Sequence, residues 1–120
     1  MAVQQGRIVG PDNYGVVRAV WDNLAVGDTG SWVSLPQSSD LTVNCYGNFG
    51  TAGSIALEGT EDPAQAANSE GPLTDPQGVD IAMTDSRPEQ VLQAPSFIRP
   101  NMGGTSGGDI TCRVSARIPK

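Results

Sequence analysis

Residues 97–118 read FIRPNMGGTSGGDITCRVSARI, and the second half of that stretch decides the fold class. Ile110, Cys112, Val114, Ala116 and Ile118 alternate with Thr111, Arg113, Ser115 and Arg117. A period of two places all the apolar side chains on one face of an extended strand and all the polar ones on the other. Phe97 to Met102 reads as a preceding strand, in which Pro100 bars a fully central position because it has no N–H for a sheet ladder. The glycine-rich run Gly103–Gly108 between them reads as the loop of a β-hairpin. The outer face of the last strand carries Arg113 and Arg117 in line. Two readings stay open for this pair: they blunt edge-to-edge aggregation, or they touch a partner.

The same signature repeats upstream. Leu41, Val43 and Cys45 alternate with Thr42, Asn44 and Tyr46, and Asn48–Gly53 reads as a hairpin connection to a return strand at Ser54–Glu58. Val16 to Trp21 and Trp32 to Leu35 are short apolar runs, the first ended near the turn signal Gly27–Gly30 and the second by Pro36. Val79, Ile81 and Met83 alternate with Asp80, Ala82 and Thr84, after the turn Asp75-Pro76-Gln77-Gly78. Gly59 to Gly71 is polar and reads as a surface loop, with a helical turn at Pro63–Ala67 capped by Asp62. About eight closely spaced strands with turn signals between them predict an all-β fold, an antiparallel sandwich or jelly-roll-like barrel.

Glycine (15) and proline (9) make a fifth of the 120 residues, which suits short strands and tight turns and argues against long helices. Aromatics are only 5%, so aliphatic side chains must fill the core. Residues 1–15, MAVQQGRIVGPDNYG, are broken by Gly6, Gly10, Pro11 and Gly15 and predict an extended N-terminal arm. Residues 16–120 then form a single β-sandwich domain. The arm has no apolar stretch of the secretory kind, and no run approaches the ~20 apolar residues that span a bilayer. The expectation is a protein made in the cytoplasm of its producer, without a membrane partner.

The net charge is −6, and its layout is uneven. Every acid from Asp22 to Asp85 lies in a stretch without lysine or arginine, while the basic residues gather at the two ends. An acidic middle repels phosphate backbones and disfavours nucleic acid. It is a solvated face that aids solubility, or the basic ends dock on an acidic partner while the middle faces water.

The sequence holds little reaction chemistry. It has no histidine, which excludes Ser/His/Asp and Cys/His sets. No spacing singles out a carboxylate pair among Glu58, Glu61, Asp62, Asp75 and Asp80. Neither a P-loop nor a dinucleotide fingerprint is present. Acids at Glu58–Asp62 and Asp75–Asp80 match no EF-hand loop and read as turn acids, with structural calcium the sharper alternative. Cys45 and Cys112 lie outside any CxxC pattern. They read as small buried apolar residues, the alternative being a disulfide between strands facing each other across the core. Arg99, between Ile98 and Pro100, salt-bridges an inward acid such as Glu89 or packs its stem over the core edge. The expectation is a non-enzyme without cofactor or metal.

Three stretches carry a resemblance: TVNCYGNFGTAGSIALEGTEDP, PLTDPQGVDIAMT and QVLQAPSFIRPNMGGTSGGDITCRVSARI. The steps at Gly47–Gly50, Leu57–Thr60, Leu73–Gly78 and Phe97–Pro100 are similar to those of small accessory head proteins of tailed bacteriophages, the capsid decoration or cement proteins. The resemblance runs from Leu41 to Ile118. It implies a virion protein on the outer surface of the expanded head, assembled in the host cytoplasm, bound to the major capsid protein as a homotrimer and strengthening the shell. The group's Asp-Gly-x-x-Trp turn is missing here, where a polar loop stands at Glu61–Gly71, and its absence weakens a sugar-binding reading. A tail or head–tail accessory role and a carbohydrate-binding surface module are the alternatives. The candidate capsid or subunit contacts are Arg7, Ile8, Val9 and Tyr14 on the arm, and Arg113 and Arg117 on the last strand.

Overall fold

A computed structural model describes residues 2–35, 39–65 and 70–117. In chain order its strands are β1 (Val3–Gln4), β2 (Gly6–Val9), β3 (Val16–Leu24), β4 (Thr29–Gly30), β5 (Ser39–Asn48), β6 (Ser54–Thr60), β7 (Gly71–Pro72), β8 (Ala82–Met83), β9 (Pro88–Gln90), β10 (Phe97–Gly103) and β11 (Asp109–Arg117). They form two sheets. The first runs β1-β4-β10-β6-β7, with β8 also on β6; the second runs β2-β3-β11-β5-β9. The sheets pack face to face as a β-sandwich. Their inner faces supply Ile55, Leu57, Ile98 and Met102 from one side and Val17, Trp21, Val43, Ile110 and Val114 from the other, all buried in one cluster.

The alternation in β11 is real: Ile110, Cys112, Val114 and Ala116 are buried, and Arg113 and Arg117 point outward. Ile118 and Pro36 lie outside the described residues. Two loops differ from expectation. Gly103–Gly108 is not a hairpin loop, because β10 belongs to the first sheet and β11 to the second. Asn48–Gly53 likewise carries the chain from β5 to β6 across the core. Both are arches between sheets, and they brace each other: the Thr51 N–H donates to Ser106 O (2.9 Å) and the Thr105 N–H to Thr51 O (2.9 Å). Gly104, Gly107 and Gly108 all have positive φ, a backbone that side chains with a Cβ rarely adopt.

The expected extended arm is also corrected. Residues 3–9 are strands in both sheets: β1 runs parallel to β4, and β2 pairs antiparallel with β3, Gly6 opposite Trp21 and Val9 opposite Arg18. Gly6 is not a breaker but a fit, since a Cβ there would stand 2.5 Å from the Trp21 indole nitrogen. Other departures are smaller. Pro100 lies in a strand that is central in order, but β10 meets β4 only at Asn101, and Val33 bridges Ile98, so the proline falls between these contacts. Residues 79–84 keep only β8 as strand; Ile81 and Met83 are buried, whereas Val79 is exposed. The polar loop does hold a short 3-10 turn, Pro63–Gln65, capped by Asp62, which accepts from the Ala64 N–H at 3.1 Å; Ala67 lies outside the described residues.

Asp28 ties the N-terminal segment down. Its buried carboxylate accepts from the N–H groups of Ala25 (3.0 Å) and Ala2 (3.1 Å) and from Gln4 Nε2 (3.3 Å). The Ala25 N–H does most to hold this carboxyl below its ordinary value, with Gln4 and Ala2 adding to it, against the upward push of burial. A depressed folded pKa means the stabilisation is complete above the unfolded value near about 3.9 and is lost as pH falls through the folded one. Asp28→Ala leaves three donors without a partner and is expected to cost about 1–3 kcal/mol at neutral pH. It should also remove part of the acid sensitivity below about pH 4. Urea midpoints of both proteins, measured at neutral pH and in acid, check both statements; equal midpoints at neutral pH would refute the anchoring role.

Cys45 and Cys112 are free, fully buried and directly opposite each other on adjacent strands of one sheet. The expectation of small buried residues holds. The alternative of a disulfide across the core does not, because the two strands are neighbours within a sheet. The hydrogen bond between the thiols, and then burial, push the Cys112 thiol well above its ordinary range, so it stays protonated and a poor nucleophile.

Candidate functional site

The second sheet turns its polar face to solvent, and strand register assembles it into rows. Val9, Arg18, Ser115, Thr42 and Gln90 form one row across β2, β3, β11, β5 and β9. Arg7, Val20, Arg113, Asn44 and Pro88 form the next. Val20, buried although it is on this outer face, lies between Arg7 and Arg113 in register. One step along, Thr111 stands opposite Tyr46 and donates its hydroxyl to Asp22 (3.1 Å); at the far end Arg117 stands opposite Val16. Four arginines from three strands therefore share one face, on a chain whose net charge is −6.

Two of these arginines are paired at the rim of the face: Arg7 with Asp22, and Arg18 with Asp12 at 3.4 Å. Arg7 is the main cause that lowers the Asp22 pKa, followed by the Thr111 hydroxyl and then Arg113, while burial opposes them. Arg113 and Arg117 have no ion pair among the described residues. Arg113 rests over the Tyr46 ring, 5.5 Å from its centroid. The central strand β11 thus carries two arginines without an ion pair of their own, Arg113 within the wider field of Asp22 and Arg117 at the strand's end.

Of the six candidate contacts, the structure brings Arg7, Val9, Arg113 and Arg117 onto this face. Ile8 shares the core side of β2 with Ala19, at the margin where it stays 45% exposed. Tyr14, 82% exposed, stands in the β2–β3 turn. Arg18 completes the face; its outward direction is hidden in the sequence because Val16 and Val20, on the same side of β3, make residues 16–21 read as a continuous apolar run.

Elsewhere several polar groups are committed to one another. Arg99 does not reach Glu89; it pairs with Glu58 and Glu70 (both 2.9 Å) and lies over the Trp32 ring at 4.3 Å, while Glu89 pairs with Arg87. Trp32 and Tyr46, the aromatics a sugar would stack on, therefore each hold a guanidinium. A groove of about 410 Å³ runs beside β6, with Leu73, Pro95, Glu61 and Gln93 in its lining. Its Glu61 is engaged by Ser96 and its Gln93 exchanges two hydrogen bonds with Thr74, each 2.8 Å. No group of three or more His, Cys, Asp or Glu that could hold a metal occurs among the described residues. No helix among them is long and apolar enough to cross a membrane. The chain matches no protein-family model and no curated protein sequence.

Proposed function

We propose that this protein is a non-enzymatic binding component of a tailed-bacteriophage particle, a decoration protein that docks on the outer surface of the expanded head and strengthens it. The observation that carries this reading is the arginine face of the second sheet. A chain with net charge −6 places Arg113 and Arg117, which have no ion pair among the described residues, on the same sheet face as the ion-paired Arg7 and Arg18, which fits an acidic protein surface better than a small ligand. The resemblance from Leu41 to Ile118 supplies the setting: the major capsid protein as partner, trimers of this chain as the bound unit, and the virion surface as the location.

The test is the copy number of this polypeptide in purified particles, by quantitative mass spectrometry against the major capsid protein. A ratio near one copy per capsid subunit is expected. A handful of copies per particle would overturn the reading in favour of a tail or vertex component. Absence from particles would overturn both.

A further inference from the structure

Cys45 and Cys112 take no part in the arginine face, and the register of their strands gives them a chemistry of their own. They stand directly opposite each other on β5 and β11, with both side chains in the core and fully buried. Backbone hydrogen bonds fix which kind of pair they make. The Val91 N–H donates to Leu41 O at 2.9 Å, so Leu41 turns its backbone groups toward β9. Alternate residues of a strand turn the same way. Val43 and Cys45 therefore also face β9, while Thr42, Asn44 and Tyr46 face β11. This makes Cys45 and Cys112 a non-hydrogen-bonded pair, the narrow kind, with Cα atoms about 4.5 Å apart and side chains at their closest. A disulfide requires Cα atoms about 4.4–6.8 Å apart. The ladder thus holds the two sulfurs where a bond between them closes with little movement of either strand.

We propose that Cys45 and Cys112 are a redox-sensitive pair, converted by a hydroperoxide into a cross-strand disulfide that staples β5 to β11 inside the core. Access selects the oxidant. Neither side chain has exposed surface, so a bulky disulfide has no room to form a mixed disulfide in the folded chain, whereas hydrogen peroxide is scarcely larger than water. Cys112 is held protonated, so the first attack falls to the Cys45 sulfur. An S–O bond forms, the peroxide O–O bond breaks, and the thiol proton leaves with the departing oxygen as water. The Cys112 sulfur then displaces the hydroxyl of this sulfenic acid: the S–S bond forms, the S–O bond breaks, and the Cys112 proton leaves with the hydroxyl as a second water. Two thiols are oxidised and one peroxide is reduced to two waters. The closed loop, Cys45 to Cys112, contains β6 to β10, so the staple restricts most of the unfolded chain. A reducing cell interior keeps the pair as thiols, and oxidising surroundings close it. This inference does not rest on the capsid reading, since the pair lies within one chain.

The test treats the full chain, reduced, folded and freed of reductant, with hydrogen peroxide. Peptide mapping by mass spectrometry reads the link, and thermal unfolding reads its effect. The expected product has Cys45 joined to Cys112 within one chain, lighter by two hydrogen atoms at the linked peptides. Its melting midpoint is expected roughly 10 °C above that of the reduced protein. Dithiothreitol should reverse both changes, and because it leaves oxidised methionine as it is, the reversal assigns the rise to the disulfide. Cys45→Ala should show no such rise with peroxide. Thiols that stay free, or that advance to sulfinic acid without a link, overturn the proposal. So does a link between two chains, or one that forms only in urea, because the folded register then does not bring the sulfurs together. A linked form no more stable than the reduced one refutes the staple.

Discussion

Trp21→Ala is expected to destabilise the protein by about 3–5 kcal/mol, the range for removing a large buried aromatic. Trp21 is fully buried on β3, and its indole N–H donates to Ser31 O at 2.9 Å. Two glycines close on the ring. A Cβ at Gly6 or at Gly30 would come within 2.5 Å of indole atoms. The side chain therefore fills the place where the N-terminal segment crosses from the first sheet to the second. Its loss leaves a cavity, an unpaired Ser31 carbonyl and a β2 strand with less to pack on. Total stability for a domain of this size is about 5–15 kcal/mol, so the loss is a large share. It corresponds to a fall in melting temperature of roughly 10–25 °C. Urea unfolding should show a lower midpoint with an unchanged slope. Gly30→Ala, which presses a methyl into the same ring, is expected to shift the midpoint in the same direction. A loss below about 1 kcal/mol for Trp21→Ala would mean that the surroundings collapse onto the vacated space, against the rigid fit described here.

The same tryptophan shows why some of the fold was legible in the sequence and some was not. The strand character of β5 and β11 was open to view, because a buried face and a wet face leave a period of two. Which sheet a strand joins was not, because that period does not distinguish a neighbour across a hydrogen-bonded ladder from one across the core. The glycine runs at 48–53 and 103–108 suit a hairpin and an arch equally, and only the packing of both faces decides. The N-terminal segment has no alternation to read, since β1 and β2 are short and half exposed. Its Gly6 resembles a breaker until Trp21 is placed beside it. Residues 79–84 are the reverse case, alternation without a long strand, with Val79 in solvent. For the candidate site, Arg113 and Arg117 followed from β11 alone. Their junction with Arg7 and Arg18 required the register of β2 on β3 and of β3 on β11, which no local pattern encodes.

Arg113→Glu/Arg117→Glu is expected to weaken binding to capsid particles by roughly 100-fold or more, about 3 kcal/mol. Each exposed charge pair is worth only about 0.2–1 kcal/mol in isolation. The face works as a set, however, and reversing two of its charges converts attraction into repulsion at every contact. Arg7 and Arg18 cannot compensate, because Asp22 and Asp12 already engage them at the rim. The fold should tolerate the change. Both side chains point to solvent, and neither has an ion pair among the described residues, so the folding cost is that of losing the Arg113 contact with Tyr46, about 0.5–1 kcal/mol, and of placing a like charge in the field of Asp22. Cosedimentation with particles stripped of this protein measures the affinity. Raising ionic strength should weaken the wild type, since solvent-facing charges are screened beyond about 8 Å at physiological salt. Arg87→Glu serves as the control, the same kind of charge reversal at the far edge, just before β9, and should leave binding close to wild type. If the double variant binds as tightly as the wild type while Arg87→Glu does not, the docking surface lies on the β9 side and the arginine face is a solubility feature of the outer sheet.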